Sequence, residues 1–437
     1  MYKIYGFLLL IVNLYSYQNG MNSIVFFATT LFLLILMFFN LNKKKESHKI
    51  IYLRMMIFTL PFSWTSIIGS GIDSFPITWF YLLGLLFFIT CIIDRDNFRL
   101  KKDFLTFLFL FLIIYSFIPL ISSNNFKAGI SDFLMILFFC LIGLSSHNIR
   151  KEVSSIIIES IIKDFIFINF ISAIIISFQY FNYQFFNKVY FKMNIEGTYV
   201  ASKMQVGGQL LYEDASSATL MLTSSVILAL FYGKKKLVYY FVAGIILAGL
   251  AFTARRTGAI ALLFTLPFYF IFNYKGLKRI LSILLMIIFA FLVVKLLTLS
   301  RPVDNVAQLF DDNNRIVDYV KAIHISLKNP LGVGYGDDYI ASLTGHTIPH
   351  NTFLRWLVIG GIIFATILTL LILIPTFISF SFNDKSLFWA MFSSIIGMNF
   401  IPDVLNARYI IVIIAIILLS DNRKKRRVKW KNIKYQL

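Results

Sequence analysis

Residues 104–121 read FLTFLFLFLIIYSFIPLI, an uncharged run that follows Lys101 and Lys102 closely in the chain. A helix needs about 17–25 mostly apolar residues to cross a bilayer, so this run is long enough for one span. Similar runs succeed one another along the chain, separated by short charged segments. The sequence therefore predicts an all-α fold, a polytopic transmembrane helical bundle of about 12–14 spans.

The composition supports a membrane protein. The 437 residues are 58% hydrophobic and only 14% charged, with a mean hydropathy of +0.78, which is too apolar for a soluble domain of this size. Both cysteines, Cys91 and Cys140, lie inside apolar runs. A disulfide framework is therefore excluded.

Basic residues recur in clusters after every second span. These clusters lie at 43–49, 95–102, 150–151, 234–236, 275–279, 385 and 423–434. Lysine and arginine are enriched in cytoplasmic loops, and all of these clusters can be cytoplasmic at once. This topology accounts for the net charge of +20 better than nucleic-acid binding does, and it predicts that both termini are cytoplasmic.

Two connections between spans are long, which is typical of functional loops. The predicted organisation is transmembrane helices at 1–181, an outer loop at 182–215, transmembrane helices with an outer arginine pair at 216–298, a large outer loop at 299–351, transmembrane helices at 352–420 and a basic cytoplasmic tail at 421–437. We expect the chemistry of the protein in the two outer loops.

The larger loop contains NNRIVDYVKAIHISLKNPLGVGYGDD, residues 313–338, which predicts an amphipathic helix. Its apolar residues at helical spacing are Ile316, Val320, Ile323 and Leu327, with Asn313 or Asn314 as N-cap. Pro330 and the glycines after it end the helix, and these glycines are not a nucleotide-binding fingerprint because they follow a helix and open none. We expect the helix to lie along the membrane surface or over a cavity, with its apolar face down.

Arg255 and Arg256 join two spans at the predicted outer surface, against the orientation rule. An arginine within a bilayer costs about 2.5–3.5 kcal/mol, which favours a functional role. Two guanidinium groups suit a phosphate or diphosphate near the lipid headgroups. In the smaller outer loop, Glu213 and Asp214 form an acidic pair that starts the next span or takes part in binding.

Arg315 and His350 are the candidate site residues of the larger loop. Arg315 lies in the first turn of the predicted helix, where a cation is disfavoured, so either a bound anion or a neighbouring aspartate, Asp311, Asp312 or Asp318, compensates it. His350 stands at the start of a span and suits either general-base chemistry or an interfacial polar anchor. A zinc site with His346 is disfavoured because Pro349 interrupts the helix that would align them.

Taken in order, these segments resemble the O-antigen polymerase and O-antigen ligase superfamily. The resemblance rests on TARRTGAIAL at 253–262, Arg315 on a helix ending in NPLGVGYG, and His350-Asn351 ahead of Gly361, and it covers mainly residues 195–365. It implies a glycosyltransferase of the bacterial inner (plasma) membrane that uses an undecaprenyl-diphosphate carrier on the periplasmic face, without metal or cofactor. One departure is Phe364, where the family pattern often has a small residue.

The resemblance also implies roles for single residues. Catalytic roles fall to His350, which would activate the acceptor hydroxyl, and to Arg315. The implied substrate-binding residues are Arg255, Arg256, Arg315, Asn351 and Glu213. Which arginine of the pair holds the diphosphate stays open.

Three functions follow as expectations. The first is an inverting polymerase that transfers glycan to the non-reducing end of a carrier-linked repeat, favoured by the resemblance of the EDASS segment at 213–217 and the extended smaller loop to polymerases. The second is a ligase that transfers glycan to lipid A core, and the third a lipid-linked oligosaccharide flippase, which the one-sided arginines disfavour. The expected partners are the undecaprenyl-diphosphate-linked oligosaccharide, membrane lipids and a chain-length regulator protein, without nucleic acid.

Overall fold

A computed structural model describes residues 1–68, 77–94, 98–149, 153–191, 193–197, 204–211, 214–300, 315–344, 349–382 and 384–421. The first half of the chain forms helices α1 to α8: α1 Tyr2–Asn19, α2 Ser23–Asn42, α3 His48–Thr59, α4 Trp79–Ile93, α5 Phe104–Tyr115, α6 Phe117–Ile121, α7 Phe126–Asn148 and α8 Ser155–Phe186. A short 3-10 turn, Leu60–Phe62, follows α3.

A two-stranded antiparallel hairpin comes next, with β1 at Met193–Gly197 and β2 at Met204–Gly208. The remaining helices are α9 Ala215–Gly233, α10 Val238–Ala251, α11 Arg256–Asn273, α12 Leu277–Ser300, α13 Arg315–Lys328, α14 Asp337–Thr344, α15 Thr352–Phe380, α16 Ser386–Gly397 and α17 Tyr409–Asp421. A 3-10 turn, Leu405–Ala407, precedes α17. The hairpin is an addition to the helical architecture that the sequence did not predict.

Seven helical segments within the described residues are long and apolar enough to cross a membrane. They are Ser23–Asn42, Phe104–Ile121, Gly129–Asn148, Ser155–Phe186, Ala215–Gly233, Arg256–Asn273 and Thr352–Phe380. Shorter apolar helices are α4, α10, α16 and α17. The predicted polytopic helical bundle is confirmed, while the larger number of about 12–14 spans stays a prediction.

Helix α17 lies at the centre of the bundle. Each of its residues is buried, and it packs against α3, α7, α8, α15 and α16. A helix that is apolar on every side is stable only where neighbours surround it. Cys91 on α4 and Cys140 on α7 are likewise buried and unbridged, as expected for cysteines in apolar runs.

The hairpin lies against the turn between α10 and α11. The backbone N–H of Gly208 donates to the carbonyl of Phe252 at 3.1 Å. A β-carbon on Gly207 would overlap the Thr253 carbonyl, so only glycine permits this close approach. We call the end of the bundle that carries the hairpin, this turn, α13, α14 and residues 349–351 and 398–408 the loop face.

Helix α15 is broken at Gly361, and the segment after α13 fills the break. Gly361 has a φ of +73°, a conformation that favours glycine. Beside it, the N–H of Val333 donates to the carbonyl of Val358 at 2.8 Å, and that of Gly334 donates to Ile359 at 3.0 Å. The structural role predicted for these glycines is seen at Gly332, which lets the loop approach the α15 backbone at Ile359, and at Gly334, which lies against the backbone of Ser122.

Phe364, the departure from the family pattern, packs inside this junction. Its side chain is fully buried and lies 6.2 Å, centroid to centroid, from the rings of both Tyr115 and Tyr335. It also occupies the space that a β-carbon on Gly360 would need. The glycine thus makes room for the larger aromatic side chain.

The predicted amphipathic helix is α13. Its contacts with the protein disagree with one of the two positions expected for its apolar face, the position over a cavity. Its buried residues are Asp318, Ala322 and Ser326, and this face packs against α15. Its apolar residues Ile316, Val320, Ile323 and Leu327 are exposed. The apolar face therefore does not cover a cavity of the protein, which corrects that alternative.

Candidate functional site at the loop face

His350 lies in the short link that leads into α15. The neighbouring Asn351 is the N-cap of that helix, because its Oδ1 accepts from the backbone N–H of Leu354 at 3.1 Å. The Asn351 Nδ2 donates to Oδ1 of Asn399 at 3.2 Å. These bonds fix the His350 backbone between α15 and the segment that follows α16.

Tyr319 joins α13 to the same place. Its hydroxyl lies 3.0 Å from the carbonyl oxygen of His350 and 3.0 Å from that of Asn399, and its single proton can be donated to either. Arg315 and Asp318 are one turn and one residue before Tyr319 on α13, which puts all three on one side of the helix. The first turn of α13 is therefore held beside His350.

Arg255 approaches from the turn between α10 and α11. It is the N-cap residue of α11 with extended backbone, and Ala254 before it has a φ of +57°. Its backbone N–H donates to Oγ1 of Thr253 at 3.4 Å. The Arg255 side chain is half-buried, and Arg256 begins α11 next to it, also half-buried.

Charged groups from three segments of the chain act on the pKa of His350. Burial lowers the pKa of His350 below its ordinary value, and the positive charges of Arg315 and Arg255 lower it further. Asp214 and Asp318 oppose this by raising the pKa. The lowered pKa favours the neutral imidazole, the form that accepts a proton.

The structure thus brings together four of the predicted site residues. They are His350, Asn351, Arg315 and Arg255. Arg256 is adjacent in the chain, but it is not among the charges that act most strongly on His350. Glu213 lies outside the described residues, as do Asp311, Asp312, Asn313, Asn314 and His346.

Asp214, the partner of Glu213 in the sequence, takes the structural role that was one of its predicted alternatives. It is the N-cap of α9, where its Oδ1 accepts from the N–H of Ser216 at 3.0 Å. It nevertheless acts electrostatically on His350 from there. The start of α9 is therefore part of the site's surroundings.

Sequence reasoning missed Tyr319 and Asn399, and it considered Asp318 only as a counter-charge for Arg315. The spacing in RIVDY could have found Asp318 and Tyr319, because residues three and four positions after Arg315 share its helix face. Asn399 carries no comparable signal, since only the tertiary fold brings the end of α16 to His350.

A buried ionic cluster lies on the same side of the bundle, around Arg355 in the first turn of α15. Its guanidinium Nε donates to Asp337 at 2.9 Å, its Nη2 donates to Asp132 at 3.0 Å, and its Nη1 pairs with Asp403. Nε1 of Trp356 also donates to Asp403, at 3.2 Å. Arg355 is only 1% exposed.

This cluster ties together the segments that form the site. Asp337 begins α14 in the loop after α13, Asp403 follows Asn399, and Asp132 belongs to α7. Lys321 adds a further link, because its Nζ on α13 donates to the carbonyl of Thr344 at the end of α14, at 2.6 Å. Arg355 therefore fixes the relative positions of α14, α15 and the segment at 398–403.

No group of three or more histidine, cysteine, aspartate and glutamate side chains in the described part of the chain is placed to hold a metal ion. The protein is a multi-pass membrane protein with two arginines at its loop face whose charges lower the pKa of a histidine there.

Residues 241–369 match the model of a family described as O-Antigen ligase. The matched region contains Arg255, Arg315 and His350. No curated protein is similar enough to the chain to match it. Over this region the match confirms the predicted resemblance to the O-antigen polymerase and ligase superfamily, and it supports a function of the O-antigen ligase or polymerase type.

Proposed function

We propose that this protein is an O-antigen polymerase, or a polymerase of a related surface polysaccharide, that uses an undecaprenyl-diphosphate-linked donor on the periplasmic face. The observation that carries the proposal is the effect of the Arg315 and Arg255 charges on one half-buried histidine, His350, whose pKa they lower. Such a group of charges suits a reaction in which a base removes a proton while an anionic group departs. The loop face would then be periplasmic and both termini cytoplasmic.

In the proposed reaction, an acceptor sugar hydroxyl attacks the anomeric carbon of the donor glycan. A new bond forms between that oxygen and the carbon, while the bond from the carbon to the diphosphate oxygen breaks and its electron pair leaves with the carrier diphosphate. His350 takes the hydroxyl proton and becomes an imidazolium. A single displacement of this kind inverts the anomeric centre.

Arg255 and Arg315 would bind the diphosphate and stabilise the charge that grows on it. A well-placed donor of this type contributes about 2.7–4 kcal/mol to a transition state. Loss of Arg315 would therefore lower turnover roughly a hundredfold or more. Asn351 would help to position the acceptor, while Arg256 and Glu213 remain proposed members of the binding site.

The second candidate is the ligase, which uses the same donor but a lipid A core sugar as acceptor. The description of the matched family favours this reading. The extended loop before α9 favours the polymerase by resemblance. The residues of the site perform the same donor chemistry in either case, so the acceptor decides between the two.

The test compares surface glycans of cells that carry His350→Ala or Arg315→Ala with the parent strain. The polymerase predicts that long chains disappear while lipid A core with a single repeat persists. The matched control is His324→Ala, an exposed histidine on α13, which should leave the glycan pattern unchanged.

Other outcomes would contradict the polymerase. Loss of all glycan from lipid A core, with long polymer retained on the carrier, would identify a ligase. Unfinished precursor held at the cytoplasmic face would identify a flippase. An unaltered pattern in both site variants would exclude His350 and Arg315 from any of these reactions.

A further inference from the structure

Helix α13 has two faces of opposite character, and the polar one is turned toward the protein. Its buried residues Asp318, Ala322 and Ser326 repeat every four positions along the side that packs on α15. On the other side, Leu327 is 75% and Ile316 is 64% exposed. A helix packed in this manner in water would expose its apolar stripe and bury its polar one, the reverse of the stable arrangement.

Exposed apolar side chains also lie after the end of α13 and on the candidate span that this end contacts. Leu331, which follows the helix, is 58% exposed. The next contacts of the chain are with the break in α15, where Pro330 and Gly332 lie against Gly361 and Ile359. Ile362 and Ile363, directly after the break, are exposed side chains of that span. The end of α13 therefore meets the candidate span α15 next to exposed apolar side chains of that span.

Charged groups of α13 avoid the stripe. Lys321 is turned to the protein, where it donates to Thr344, and Lys328 lies at the exposed end of the helix, beyond Leu327. A lysine at the edge of an apolar surface can extend its ammonium to lipid phosphates while its methylenes remain among acyl chains. The pattern is that of an interfacial helix.

We propose that acyl chains of the leaflet at the loop face cover the apolar side of α13, which makes it a membrane-interface helix. Burial of apolar surface in the leaflet would stabilise this position, and the buried polar side would hold Asp318 and Tyr319 toward His350. Because Arg315 begins the same helix, the bilayer itself would set the position of that guanidinium relative to the lipid headgroups. The contact with lipid would exist whatever reaction occurs at His350.

The test places an environment-sensitive fluorophore on single cysteines in the full-length protein, reconstituted in nanodiscs of phosphatidylethanolamine and phosphatidylglycerol. Val320→Cys and Leu327→Cys report on the stripe, and Asp338→Cys on exposed α14 is the control. Cys91 and Cys140 are buried, so they will not compete for a maleimide label on the folded protein. All three labelled positions are exposed, so the substitutions should be tolerated.

We expect the labels at 320 and 327 to lose most of their emission to lipids that carry a nitroxide on the acyl chain, and little to iodide in the buffer. The label at 338 should show the opposite. Quenching of 320 and 327 by iodide would overturn the proposal, because the stripe would then face water. Protection from both quenchers would also overturn it, since a protein partner would then cover the stripe. The measurement reads only the surroundings of the label, so its result is independent of glycan transfer.

Discussion

The backbone of Gly361 lies directly against the carbonyl oxygen of Pro330, so that a β-carbon at position 361 would overlap it. This contact joins the break in α15 to the end of α13. His350 precedes the first helix and Arg315 begins the second. The distance between the two candidate groups therefore depends on a junction well away from both of them in sequence.

Gly361→Ala should destabilise this junction. The backbone at 361 has φ +73° and ψ −174°, a conformation that costs a residue with a side chain about 1–3 kcal/mol, and the overlap with Pro330 adds to this. We expect a lower midpoint of thermal unfolding in nanodiscs and reduced activity. Gly244→Ala is the control, because nothing lies within 4 Å of its added β-carbon. Equal midpoints for the two variants would contradict the contact.

Arg315→Gln should change the pH dependence of transfer as well as its rate. The Arg315 charge lowers the pKa of His350, so its removal raises that pKa. Activity requires the neutral imidazole and falls as pH drops through the pKa, so the acid limb of the normalised rate profile should move to higher pH. The measurement is carrier release against pH.

Asp318→Asn should move the acid limb of the rate profile in the opposite direction to Arg315→Gln. Asp318 raises the pKa of His350, so its removal lowers that pKa and should move the acid limb to lower pH. If both variants shift the limb in the same direction, or neither shifts it, then His350 is not the group that titrates in the reaction.

Arg355→Ala should lower stability strongly. It leaves Asp132, Asp337 and Asp403 without the cation they share, and removal of one partner of a buried ion pair costs about 3–5 kcal/mol. Thermal unfolding in nanodiscs measures the loss, and a lower pH should restore part of it by protonating the carboxylates. Lys328→Ala, an exposed cation on α13, should have almost no effect. A small change for Arg355→Ala would show that the cluster does not fix the loop face.

Tyr319→Phe should impair the reaction modestly. It removes the hydroxyl between the carbonyls of His350 and Asn399, a hydrogen bond worth about 0.5–1.5 kcal/mol. We expect a loss of about two- to tenfold in kcat/KM with an unchanged acid limb, because position rather than titration is affected. Tyr339→Phe on α14 is the control. A full loss of activity would instead assign the hydroxyl a direct part in the chemistry.

The sequence predicted the features that depend on short stretches of chain. Apolar runs predicted the helical bundle, helical spacing predicted α13 with Arg315 in its first turn, and the start of a span predicted at His350 lies close to Thr352, where α15 begins. The family resemblance implied that Arg255, Arg315 and His350 act on one substrate, and in the structure the charges of both arginines lower the pKa of His350.

Features that depend on distant pairs could not be predicted. Arg355 donates to Asp132, which lies more than two hundred residues earlier in the chain. No local sequence pattern predicts such a pair. The sequence also could not predict which side of α13 packs on the protein. Lipid and the protein core are both apolar, so either could cover Ile316 or Leu327. Periodicity identifies an apolar face, but in a membrane protein it does not say what covers that face.

The complete burial of α17 has a consequence for how the protein is made. The five helices that pack around it, α3, α7, α8, α15 and α16, all precede it in the chain and are synthesised first. Until Tyr409–Asp421 enters the membrane, the earlier helices have a vacancy at their centre that lipid or a chaperone must fill. A chain that stops before Tyr409 should therefore leave α3, α7, α8, α15 and α16 without the helix that they share as a packing partner.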